Sequence, residues 1–95
     1  MYARLLTWRV GAENRSQMER LADEAFQRVR GMRGFRSATY LADDAAGEYS
    51  SLTIWDSREA ADAAAQASAE QLRQIAADLG QQPEVRTFEV YEPRA

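Results

Sequence analysis

Gly34-Phe35-Arg36-Ser37-Ala38-Thr39-Tyr40-Leu41-Ala42-Asp43-Asp44-Ala45-Ala46-Gly47-Glu48-Tyr49-Ser50-Ser51-Leu52-Thr53-Ile54-Trp55-Asp56-Ser57 is the stretch whose reading decides the fold. Phe35 to Leu41 and Tyr49 to Trp55 are rich in aromatic and β-branched residues, the composition of strands. Asp43-Asp44-Ala45-Ala46-Gly47 between them has the composition of a turn. The segment therefore reads as a β-hairpin. Its second strand runs straight into a helix, because Asp56 and Ser57 both suit an N-cap and Glu59 lies three residues beyond Asp56. Trp55, at the end of a strand and next to a helix start, stands where sheet, helix and any cavity meet.

Upstream, Tyr2 to Val10 reads as a strand with two mixed faces. Leu6, Trp8 and Val10 alternate with Ala3, Leu5 and Thr7, the pattern of a central strand covered on both sides. Gly11-Ala12-Glu13 breaks it. A helix follows, opened by the capping-box spacing of Ser16 and Glu19 or by Asn14 as an alternative cap. Met18, Leu21, Ala22, Ala25, Phe26 and Val29 fall at i, i+3, i+4, i+7, i+8 and i+11, one apolar stripe, and Gly31 and Gly34 end it.

Downstream of the hairpin, an alanine-rich helical segment covers about Arg58 to Ala67. A second stripe, Leu72, Ile75, Ala76 and Leu79, is closed by Gly80. The pattern fits one bent helix or two, with Ser68 as the break between them. Pro83 then opens a last strand, Glu84 to Tyr91. The order β-α-β-β-α-β makes residues 1–95 a single α+β domain of the ferredoxin-like type. Its two right-handed crossovers build a four-stranded antiparallel sheet in the order 4-1-3-2, with both helices on one face.

Composition narrows the chemistry. At 45% hydrophobic and 28% charged residues, the 95-residue chain has the make-up of a small globular domain. No apolar run approaches the roughly 18 residues of a membrane span, and Met1 leads directly into strand-like sequence, so a cytoplasmic protein with no membrane partner is expected. Cysteine is absent, which removes disulfides and thiolate catalysis. Histidine is absent too, and with it the commonest metal ligand and neutral-pH base. No metal site is expected, and no nucleotide-binding loop, dinucleotide fingerprint or other cofactor motif occurs, so no cofactor is expected either. All 12 basic residues are arginine. The net charge of -3 argues against nucleic acid, which is tracked by basic stripes.

Alternation along the hairpin places Tyr49, Ser51, Thr53 and Trp55 on one face of the sheet and Ser50, Leu52 and Ile54 on the other. Leu52 and Ile54 match the apolar stripes of the helices. Tyr49 and Trp55, joined by Leu6 and Trp8 if Leu5 points at the helices, are then expected on the helix-free face. That apolar load requires a cover, and a second copy of the chain packed sheet to sheet about a two-fold axis supplies one.

These residues resemble the antibiotic biosynthesis monooxygenase (ABM-type) domains of the dimeric α/β-barrel superfamily. The resemblance runs over nearly the whole length: the opening strand, the helix ending in Gly31-Met32-Arg33-Gly34-Phe35, the hairpin, the block Leu52-Thr53-Ile54-Trp55-Asp56-Ser57 and the closing strand Val85 to Tyr91. It implies a homodimer whose two sheets enclose a cavity, in a family that includes oxygenases of aromatic polyketide-like substrates, quinol oxidases and haem-degrading enzymes. Trp55 matches the strand-end tryptophan that lines the cavity of active members. Ser51 stands where cofactor-free oxygenases tend to carry an asparagine, and Trp8 where haem-degrading relatives place one. The haem-ligating histidine of those relatives has no counterpart, which sets haem degradation by their route aside.

The candidate substrate-binding residues are Trp55, Tyr49, Ser51 and Trp8, and the candidate catalytic residues are Trp55, Ser51 and Arg86. Trp55 reads either as a stacking surface for a flat ligand or as a plug closing one end of the barrel, and Trp8 as ligand contact or dimer core. Tyr40 and Tyr49 read as hydrogen-bond partners of a phenol or quinone oxygen or as amphipathic cover. Arg36, Arg86 and Arg9 lie on strands, where an inward guanidinium could stabilise a substrate anion and an outward one would pair with a neighbouring carboxylate. Asp43 and Asp44 read as turn residues. The function expected is a cofactor-independent monooxygenase acting on a flat phenolic, polyketide-like or quinol molecule in the barrel cavity; the alternative is a non-catalytic dimeric module that binds a small aromatic ligand or is purely structural. An RNA-recognition domain shares the strand order, but Glu48-Tyr49-Ser50-Ser51 lacks the basic-Gly-aromatic signature such domains carry on the third strand.

Overall fold

The hairpin forms as its composition dictates. In a computed structural model that describes residues 1–94, strands β2 (Phe35–Asp43) and β3 (Glu48–Trp55) pair antiparallel from Phe35 opposite Trp55 to Asp43 opposite Glu48, with a bulge between Phe35 and Ser37. The Asp43 carboxylate accepts a hydrogen bond from the Ala46 backbone N–H at 3.1 Å and closes the turn. Strand β1 (Tyr2–Arg9) pairs with β3 on one side and with β4 (Glu84–Glu89) on the other, both antiparallel, which gives the sheet order β2-β3-β1-β4. This is the 4-1-3-2 order expected, and with α1 (Arg15–Val29) and α2 (Arg58–Leu79) it completes the ferredoxin-like βαββαβ fold.

The helix ends differ in part from the capping pattern. The Ser16–Glu19 capping box does not form, because α1 already begins at Arg15 and Asn14 takes the N-cap position without a side-chain cap bond. The Asn14 amide instead donates to the carbonyls of Val10, Gly11 and Ala12 and ties off the turn after β1. Glu19 accepts a bond from Arg15, one turn earlier. At α2, Ser57 and not Asp56 is the cap, its hydroxyl accepting from the Ala60 N–H at 3.1 Å. The helix runs unbroken for 22 residues. Ser68 is not a break: a mid-helix serine costs only a few tenths of a kcal/mol in propensity, and here it is buried within α2. Gly80, at φ 67°, ends the helix in the left-handed conformation and donates to the carbonyls of Ala76 and Ala77.

The assignment of the sheet faces is the principal correction. Leu6, Trp8 and Tyr49 are buried in one cluster with Met18 of α1 and Ala76 of α2, flanked by Leu21, Leu72, Ile75 and Leu79. Trp55 is buried with Ala61 and Ala64 of α2, beside Val29 and Phe35. The aromatic face is therefore the helix-covered face. Leu5 lies opposite Leu52, and Ala3 opposite both Ile54 and Phe88, on the helix-free side. The physical reason is volume. The inward positions of α2 are largely alanines, so the layer between sheet and helices is filled by large side chains from the sheet, small against large. Matching Leu52 and Ile54 to the helix stripes by hydrophobicity alone ignored that complementarity.

Candidate functional site

With the aromatic face turned to the helices, the space that helices and sheet do not fill becomes a cavity of about 420 Å³ within one chain. That lies in the range of small-molecule sites, roughly 300–1,000 Å³. Trp8, Tyr49, Ser51 and Trp55 all line it, because residues alternating along β1 and β3 share a face and Trp8 is opposite Tyr49 in the register. Met18 and Leu72 form part of its helical wall. The cavity thus lies between the sheet and the helices of one chain, and not on the sheet face that would meet a second sheet.

Trp55 is 1% exposed, the largest fully buried side chain. Its indole stands edge-on to Phe35, with centroids 5.6 Å apart at 77°. Its Nε1–H donates to Thr53 Oγ1 at 2.9 Å, and the Thr53 hydroxyl donates to the Arg4 carbonyl at 3.4 Å. The ring is fixed by packing on one side and by hydrogen bonding on the other, while part of it borders the cavity. Core residue and cavity wall are here one and the same.

At the opposite end of β3, the hydroxyl of the buried Tyr49 donates to Asp44 Oδ1 at 2.8 Å. Asp44 Oδ2 accepts from Arg15 at 3.0 Å, and Arg15 also bonds Glu19 at 3.0 Å. Asp44, read from sequence as a turn residue only, therefore orients a cavity tyrosine. The hydrogen bond to the Asp44 carboxylate raises the Tyr49 pKa, with burial and the Asp44 charge adding to it. Tyr40 also lines the cavity, and burial raises its pKa against the opposing pull of Arg28.

The arginines singled out by their place on strands lie elsewhere. Arg86 is opposite Leu5 on the helix-free face, its guanidinium 4.6 Å from the Phe88 ring centroid, and is not among the cavity residues. Arg9 pairs with Glu84 and Glu48, and Arg36 with Asp56, all with exposed side chains. Such pairs contribute about 0–1 kcal/mol.

The guanidinium groups on the cavity wall are Arg4, Arg15 and Arg28. Arg15 is matched by Glu19 and Asp44. Neither Arg4 nor Arg28 makes an ion pair among the described residues. Burial depresses the Arg4 pKa, with no carboxylate offsetting it. Arg28 Nε is buried with no hydrogen-bond partner, which ordinarily costs about 1–3 kcal/mol or more for a charged group. Sequence reasoning passed over both, although each left a signal. Arg4 shares a strand face with Leu6 and Trp8, and Arg28 falls three residues after Ala25 on the apolar stripe of α1. Among the described residues no group of three or more acidic side chains is placed to hold a metal ion. Among the described residues no helix is long and apolar enough to cross a membrane.

The profile of the family described as antibiotic biosynthesis monooxygenase (ABM) matches residues 1–69, and the chain belongs to that family. No curated protein sequence matches it. Among solved structures, it is similar to a Deinococcus radiodurans protein assigned to the antibiotic biosynthesis monooxygenases. That match has 17% identity and a TM-score of 0.83, over 100% of this chain and 97% of that one. It is also similar to the monooxygenase from the gene ActVA-Orf6 of Streptomyces coelicolor, solved with the ligand nanaomycin D. There the identity is 22% and the TM-score 0.77, over 99% and 90% of the two chains. SnoaB, a cofactor-independent oxygenase from Streptomyces nogalater, is similar at 19% identity and a TM-score of 0.74, over 97% and 94%. At these identities the likeness is one of fold.

Proposed function

We propose that the chain is a cofactor-independent monooxygenase that binds a flat phenolic, polyketide-like or quinol molecule in the cavity between its sheet and helices. The observation that carries this reading is a cavity of about 420 Å³ walled by two indoles in a member of a monooxygenase family. Two of the structural relatives point the same way, one solved with nanaomycin D and one described as cofactor-independent.

In this reading Trp55 and Trp8 supply flat apolar surface, Ser51 supplies a hydrogen bond to a ligand oxygen, and Tyr49, whose proton goes to Asp44, accepts one from a ligand hydroxyl. An apolar cavity favours the neutral phenol, so a cation is needed to make the phenolate accessible. Arg86 is placed too far round the sheet for that task. Arg4, opposite Thr53 in the register and without a carboxylate partner, is the group we assign to it. The deprotonated substrate then reduces O2 by one electron, and the two radicals combine as a hydroperoxide on carbon. For an anthrone, loss of water converts the CH2 to a carbonyl: one atom of O2 is retained, the other leaves as water with the two hydrogens, and no external reductant is consumed.

A second copy is proposed to cover the helix-free face, whose apolar load is Leu5, Leu52, Ile54 and Phe88. An oxygen electrode with anthrone- and quinol-type substrates, without added metal, flavin or haem, tests the activity. Uptake that depends on the protein supports the reading. Ligand binding without uptake would make the chain a non-catalytic binding module.

A further inference from the structure

The cavity carries more positive charge than a neutral aromatic ligand would use. Of its three guanidinium groups, only Arg15 has carboxylate partners among the described residues. Asp23, the remaining acidic residue on the wall besides Glu19, is exposed and makes no ion pair with Arg28. Arg28 lies on the apolar stripe of α1 between Ala25 and Val29, both of which also line the cavity, so its stem packs along the wall and its Nε is buried. Tyr40 faces it from β2, opposite Ser51. Arg28 as a whole is half-buried, and a guanidinium whose Nε–H is buried and unused is best completed where a ligand supplies both acceptor and counter-charge.

We propose that the site takes an aromatic carboxylate, its carboxylate held by the Arg28 guanidinium and the Tyr40 hydroxyl while its rings occupy the space beside Trp55. The planar fork of arginine matches the two oxygens of a carboxylate, and a neutral phenol adds one further donor. Burial keeps the Tyr40 hydroxyl protonated well into the alkaline range, so it stays a donor at neutral pH. The register brings the elements together: Tyr40 opposite Ser51, Arg4 opposite Thr53 and Trp55 at the end of the same strand. Arg4 is thereby left for the oxygen at the reacting end of the ring system, so that the two cations serve two different groups of one substrate.

This rests on the aromatic-cavity reading above, and the test separates the two. Anthraquinone-2-carboxylate and its carboxamide have the same ring and nearly the same shape but differ by one charge. Their binding to the full chain can be followed by quenching of the two indoles and checked by calorimetry. The carboxylate is expected to bind about tenfold tighter than the carboxamide, the scale of one charge-assisted bidentate contact. Arg28→Gln should reduce that ratio to about twofold, Arg28→Lys should retain part of it, and Tyr40→Phe should lower it about threefold. The ratio is the readout, so a variant that folds less well still reports as long as it binds either ligand. Equal affinities in the unaltered protein, or a ratio unmoved in both Arg28 variants, would overturn the carboxylate site and leave the aromatic cavity standing. Failure of both ligands to bind would overturn both.

Discussion

Replacing Trp55 by alanine should reveal how much of the fold rests on the residue that also walls the cavity. The indole is 1% exposed and lies edge-on to Phe35 at 5.6 Å. A buried tryptophan removes about 150–250 Å² from water, or roughly 4–6 kcal/mol at 25 cal/mol/Å², an upper estimate because the unfolded chain is not fully extended. Measured truncations of this kind cluster at about 3–5 kcal/mol. The Thr53 hydroxyl also loses the indole N–H that it accepts. A domain of this size holds about 5–14 kcal/mol in total, so the variant should sit close to the edge of folding. With a urea slope of about 1.5 kcal/mol/M, the unfolding midpoint should fall by about 2–3 M at fixed protein concentration. Trp55→Phe keeps a ring against Phe35 and should lose only about 1–2 kcal/mol. A loss below about 1 kcal/mol for Trp55→Ala would refute the reasoning, because it would mean that the indole bears on the cavity and not on the core.

Further predictions concern the backbone, the hydrogen-bonded tyrosine and the open face. A Cβ on Gly34, at φ 82°, would stand 2.5 Å from Ala60 Cβ, whereas one on Gly80 would meet nothing within 4 Å. Gly34→Ala should therefore cost about 2–4 kcal/mol and Gly80→Ala about 1–2, read by thermal or urea unfolding. Asp44→Asn removes the charge that holds the Tyr49 proton and should lower the Tyr49 pKa, measurable from tyrosine ring-carbon NMR shifts against pH. The sign follows from linkage: a folded-state pKa raised above the ordinary value of about 10 contributes stability that is complete below pH 10 and is lost as pH rises through the folded value. A charge placed on the helix-free face by Leu52→Asp should convert a dimer to monomer in light scattering without emptying the cavity. Persistence of the dimer would remove that face as its interface.

The order of elements, the hairpin, the sheet topology and the apolar stripe of α1 were all legible in the sequence, because period and turn chemistry are local properties. The alternation along β3 also grouped Tyr49, Ser51, Thr53 and Trp55 correctly on one face. What alternation cannot supply is which face the helices take. That depends on matching volumes across layers, and the alanines at 61, 64 and 76 were the available sign that large rings would be needed opposite them. Arg86 was singled out for lying on a strand, yet its register position opposite Leu5 puts it on the other side of the sheet. Arg4 and Arg28 are set apart by making no ion pair among the described residues, a tertiary property that no local pattern encodes. Asp44 reaches Tyr49 across the hairpin turn, a contact set by how the turn closes.

A flat aromatic ligand is proposed to sit between the sheet and the helices of one chain. Intermolecular NOEs from bound anthraquinone-2-carboxylate or its carboxamide to methyl-labelled protein test this most directly. Contacts are expected to the methyl groups of Met18 and Leu72, which line the cavity. Contacts confined to Leu5, Leu52 and Ile54 would place the ligand between the sheets of a dimer and contradict it.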